Sequence, residues 1–150
     1  MDLSYDFYIN APIEKVWETL VSDEGGVQQT FYGCTIRSSF IPGETISYIG
    51  PGNDGEETVH VYGKILTCNP LEKLSFTEHP GPSYNQDHAN LETRITYTLT
   101  TVGNCTKLTL INDLWSQEHP SYKSTKDHWP MILSNIKTFT ETGKQLDFGF

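Results

Sequence analysis

From Phe31 to Leu114 the chain reads as six successive runs of period-two alternation, and nothing of helical period interrupts them. The runs are TFYGCTIRSSF, ETISYIG, ETVHVYGKILTC, LSFTEH, ANLETRITYTLTTV and CTKLTLINDLW. Pro42-Gly43 and NPLEK mark turns, while PGNDGEE and HPGPSYNQD mark loops. Gly103-Asn104 marks a tight hairpin between the last two runs. Parallel strands need long crossover segments, usually helices, and none is available between these runs. The series therefore predicts an antiparallel meander.

One face of such a sheet is apolar and has to be covered. Upstream, LSYDFYIN alternates as a first strand with Tyr5, Phe7 and Ile9 on one side. Asn10 and Pro12 then signal a helix start, and Ile13, Val16, Trp17, Leu20 and Val21 follow at helical spacing up to Glu24-Gly25-Gly26. The second helix lies in DHWPMILSNIKTFTETGKQL, residues 127–146. Trp129, Ile132, Leu133 and Ile136 make its inward stripe, with Phe139 and Leu146 at the margin. Ser134, Lys137, Thr138, Glu141, Lys144 and Gln145 fall on the opposite side. Asp127 reads as its cap, which keeps Pro130 in the first turn, where proline is tolerated. The expected fold class is α+β, a strongly curved antiparallel sheet wrapped around a long C-terminal helix. At 150 residues a single domain, 1–150, is expected.

Charge and motifs exclude several classes of function. Nineteen acidic against ten basic residues give a formal net charge of −9, a surface that repels phosphate backbones and anionic lipid. Nucleic acid is not an expected partner. No stretch approaches the roughly 20 apolar residues of a membrane span, and MDLSYDFYIN lacks the basic and apolar segments of a signal peptide. The expectation is a cytoplasmic protein without membrane insertion. Cys34, Cys68 and Cys105 are dispersed, with no C-x-x-C pair, and read as reduced thiols.

Local matches to known motifs fail on context. Asp147-Phe148-Gly149 has no glycine-rich or catalytic loop before it. GPGNDG at 50–55 is followed by a strand and no Gly-Lys-Ser/Thr. Glu78, His79, Asp87 and His88 bracket one loop without metal-ligand spacing and read as solvated. His60, Glu92 and Arg94 alternate with apolar neighbours and are expected to face water. No metal, cofactor or catalytic residue is assigned.

The inward parity of the strands gives Ile46 and Tyr48, Val59 and Val61, Leu74 and Phe76, Ile95, Tyr97 and Leu99, and Leu108 and Leu110. Tyr48 and Tyr97 bring hydroxyls that need partners in an apolar interior. Thr140 and Gly143 lie about 20° and 40° from the centre of the helix stripe, where bulk is expected. A ligand pocket and an ordinary core with two bonded tyrosines both satisfy this pattern. The pocket alternative names Tyr48, Phe76, Tyr97, Leu110, Trp129, Leu133, Ile136, Thr140 and Gly143 as ligand-binding.

INAPIEKVWETLVS, FIPGETISY, GKILTCNPLEKLSFT, ITYTLTTVGNCTKLTLIND and HWPMILSNIKTFTETG, in this order, resemble a bacterial family within the START-like (SRPBCC, helix-grip) superfamily. That family is related to the C-terminal domain of the Hsp90 ATPase activator. His128 departs from the glycine frequent before the tryptophan, and the polar loop from Pro80 to Asp87 departs as well. The resemblance implies a helix-grip fold with short helices after the first strand and an apolar cavity between sheet and terminal helix. It implies non-enzymatic binding of a small hydrophobic ligand, lipid-like or polycyclic aromatic. Its alternatives are a co-chaperone module with a chaperone partner, and a cyclase or hydrolase of the superfamily.

Overall fold

The computed structural model describes residues 2–22 and 34–149. β1 (Leu3–Ile9) leads into α1 (Ile13–Val21), and six strands follow, with no α-helix from β2 to β7 among the described residues. They are β2 (Thr35–Ser38), β3 (Thr45–Pro51), β4 (Glu57–Asn69), β5 (Lys73–Pro80), β6 (Thr93–Val102) and β7 (Cys105–Asp113). A single 3-10 turn, His88–Asn90, sits between β5 and β6, and α2 (Tyr122–Thr142) closes the chain. The sheet is antiparallel and curved. β1 lies beside β7, and the order then runs back through β6, β5, β4 and β3 to β2. This is the expected meander, with β1 added at its far edge.

The inner face is built from the alternation. Ile46, Tyr48, Ile65, Leu74, Phe76, Ile95, Tyr97, Leu99, Leu108 and Leu110 are buried from the strands, and Trp129, Leu133 and Ile136 meet them from α2. Gly103 turns β6 into β7 at φ +60°, a left-handed conformation open to glycine.

Three details differ from the sequence reading. Pro12, in extended conformation, caps α1; Asn10 instead donates its backbone N–H to Glu141 Oε2 at 2.6 Å. The expected stop at Glu24-Gly25-Gly26 lies outside the described residues, as does the segment before Cys34 in the first run.

The largest difference is in α2. It starts at Tyr122, so Asp127 is no cap and Pro130 lies inside the helix. Proline has no N–H, and so the carbonyl four residues back, Lys126, loses its helical donor. The Tyr5 hydroxyl of β1 approaches that carbonyl at 3.4 Å. The helix continues through a proline because a neighbouring strand attends to the freed group. At the other end Gly143, at φ +74°, terminates α2 and donates to Phe139 O at 2.8 Å. Leu146 therefore falls beyond the helix and is largely exposed. Asn135, unassigned from the sequence, is buried and accepts the Leu146 N–H at 2.7 Å.

Candidate functional site

A hollow of about 320 Å³ lies where the first half of α2 faces the ends of β3, β4 and β5. Ile132, Val61, Pro80 and the aromatic rings of Tyr48, Trp115 and Trp129 supply its apolar walls. Trp129 is held by its indole N–H, which donates to Asn112 Oδ1 at 3.0 Å. Asn112, fully buried, donates in turn to Thr93 Oγ1 at 2.7 Å and Arg94 O at 2.9 Å. One side chain thus fixes α2 to β6 and β7.

The structure scatters the residues expected to bind ligand. Tyr48 and Trp129 line this hollow. Phe76, Tyr97, Leu110, Leu133 and Ile136 are buried in the packed core. Thr140 is also buried; its hydroxyl donates to Thr19 Oγ1 at 2.9 Å, tying α2 to α1. Gly143 is exposed at the helix end, with nothing within 4 Å of the position a Cβ would take. The hollow belongs to the opposite end of α2 from Thr140 and Gly143.

Polar residues that sequence reasoning assigned to solvent also enter the hollow. Glu78 belongs to β5, and its accessible part lines the hollow. The pairings Tyr62 with His79 and Ile65 with Phe76 set Gly63 opposite it. A Cβ on Gly63 would lie 1.7 Å from the Thr77 carbonyl oxygen, so β4 passes too close there for any side chain. No donor or cation contacts the Glu78 carboxylate among the described residues. Burial pushes its pKa up to about 7. Tyr48 and Tyr97 lie within reach of its charge; burial pushes both phenols above their ordinary range, followed by that charge at Tyr97, and by Tyr97 and then Glu78 at Tyr48. Burial likewise pushes the Cys34 thiol, at the hollow's edge, up to about 11.

His60 enters because β4 bulges: Tyr48 pairs with Val61 and Ile49 with Val59, leaving His60 as the extra residue. Its Nε2 donates to Pro51 O at 3.1 Å, and Nδ1 is hydrogen-bonded with the Tyr84 hydroxyl. His119, 7% exposed, comes from the segment between β7 and α2. Its Nδ1 accepts the Ser121 N–H at 3.2 Å, which leaves the proton on Nε2 without a partner among the described residues. Burial, followed by the charge of His79, holds its pKa below the usual histidine range.

Outside the hollow, Tyr62 stacks on His79, whose nitrogens contact His88 O at 3.1 Å and Glu92 Oε2 at 3.2 Å. This group ties the 3-10 turn to β4 and β5. Arg94, on the outer face, pairs with Asp113 through two bonds of 2.9 and 2.7 Å.

Glu78 carries a stability prediction. Its folded pKa lies above the ordinary 4.5, so the folded state holds the proton more tightly than the unfolded chain does. The resulting penalty is absent below about pH 4.5, grows as pH rises to about 7 and is complete above it. Glu78→Gln removes the ionisable group. The variant is expected to exceed the native protein in unfolding free energy by roughly 2 kcal/mol at about pH 8, allowing for water in the hollow, and by little at about pH 4. Urea unfolding at both pH values measures the difference; an equal gain at each would show that ionisation of Glu78 is not its cause.

Comparison with known proteins places the fold. The family model described as "Activator of Hsp90 ATPase homolog 1-like protein" matches residues 10–141. Among curated proteins, none matches. A solution structure from Arthrobacter aurescens is 17% identical with a TM-score of 0.78, covering 99% of this chain and 91% of that one. One from Cytophaga hutchinsonii is 27% identical with a TM-score of 0.73, covering 95% of each chain. The Aha1 dimer from Colwellia psychrerythraea is 20% identical with a TM-score of 0.71, covering 96% of this chain and 98% of that one. With the match running from the end of β1 almost to the end of α2, the chain belongs to the family of Activator of Hsp90 ATPase homolog 1-like proteins.

Proposed function

We propose that the protein binds a small, mainly apolar molecule carrying one polar group, in the hollow between α2 and the ends of β3, β4 and β5. The observation that carries this reading is Glu78, a carboxylate facing an apolar-walled hollow with no partner of its own among the described residues. A core would leave such a group out or pair it, because an unpartnered buried carboxylate is costly. A ligand site combines apolar walls with a few convergent polar groups, and about 320 Å³ falls at the small end of the usual range of about 300–1,000 Å³. That space suits one or two fused rings better than a long acyl chain.

NMR titration with small aromatic compounds tests the reading. The expected result is saturable shifts at Trp115, His119 and Ile132, which all line the hollow. Shifts confined to the outer sheet face, or produced only by a chaperone partner, would remove the ligand reading in favour of a protein-interaction module.

A further inference from the structure

We infer that the molecule received by the hollow is an organic cation, an aromatic or alkyl ammonium whose positive centre meets Glu78 among aromatic rings. The inference rests on the binding reading above and names the class of ligand.

The first argument is the charge inventory of the lining. Among the described residues it contains the Glu78 carboxylate and no lysine or arginine. The lining also holds three histidines, His60, His119 and His128, none of which carries a permanent positive charge. His60 is engaged by Pro51 and Tyr84, and His119 accepts a backbone N–H, which a doubly protonated ring cannot do. Tyr48 and Tyr97, which feel the charge of Glu78, are phenols and bring no positive charge either. An ionised Glu78 therefore has no lysine or arginine beside it in the hollow among the described residues.

The second argument is the nature of the walls. Tyr48, Tyr84, Trp115 and Trp129 all border the same space. Aromatic faces carry a negative quadrupole that attracts cations, most strongly when water is excluded, and such rings recur around quaternary ammonium ligands. Apolar contact alone would be served equally by leucine or valine.

The competing ligand chemistries fare worse for a stated reason. A neutral apolar guest would displace water from Glu78 and deepen its desolvation. An anionic guest would add like-charge repulsion. A cation restores a partner to the carboxylate, and the protein's formal net charge of −9 raises the local concentration of cations before they bind.

Two probes of the same shape isolate the charge: phenyltrimethylammonium and its uncharged isostere tert-butylbenzene. NMR titration at about pH 8 ionises Glu78 and follows Trp115 and Ile132. The ammonium is expected to bind about tenfold more tightly than the isostere in the native protein. In Glu78→Gln, whose fold is checked by circular dichroism, that preference is expected to vanish. If the isostere binds as tightly as the ammonium, or the preference survives in the variant, the cation inference is overturned while the hollow stands as a binding site. If neither probe shifts the hollow's resonances, the binding reading falls and takes this inference with it.

Discussion

Replacing Trp129 with alanine is expected to lower the unfolding free energy by about 3–5 kcal/mol, the range for truncating a large buried aromatic side chain. Trp129 is 2% exposed, meets Tyr97 edge-on at 6.5 Å between centroids and donates to Asn112. Its removal empties a volume between α2 and the sheet and leaves Asn112 Oδ1 without its donor. Trp129→Phe separates the two effects. It retains most of the packing but removes the N–H, and is expected to cost about 1–3 kcal/mol from the unpaired buried acceptor. Chemical unfolding followed by circular dichroism distinguishes them. A loss below about 1 kcal/mol for the alanine variant would mean that α2 is not anchored through Trp129.

Gly63→Ala is expected to destabilise the protein by about 3 kcal/mol, the top of the range for overpacked sites. The added carbon would lie 1.7 Å from the Thr77 carbonyl oxygen, a backbone atom that cannot swing aside. β4 and β5 would have to separate beside Glu78, and Lys64, whose N–H is bonded to Thr77 Oγ1 at 2.9 Å, would move with them. Gly103→Ala serves as the reference. Its Cβ would meet nothing within 4 Å, so only the left-handed φ opposes it, at about 1 kcal/mol. Thermal melts of both variants check the contrast; equal losses would show that close approach at Gly63 is not what matters.

These positions also show where sequence and structure part. The strands were legible because alternation at Leu74 and Phe76, or at Ile95, Tyr97 and Leu99, records which face is buried. The same period carried one step further reaches Glu78, and that step is the signal that could have found it. Its place beside the polar loop residues His79, Asp87 and His88 instead reads as solvated. His60 had no such signal, since a bulge reverses parity without leaving a mark in the residues beside it. The first two turns of α2 were hidden by Pro130, which normally opens a helix; the tolerance comes from Tyr5, more than a hundred positions away. His119 reaches the hollow through tertiary packing of a non-repetitive segment, for which no periodicity exists.

The position of β1 at the sheet edge has a kinetic meaning. Each meander strand pairs with its neighbour in the chain, so successive hairpins can zip with short loop closures. β1 has to find β7, with Leu3 opposite Asn112, across most of the polypeptide. The same event brings the Tyr5 hydroxyl to Lys126 O, and Lys137 Nζ to Tyr8 O at 2.7 Å. Docking of the first strand and seating of the last helix are thereby coupled, because the same contacts serve both.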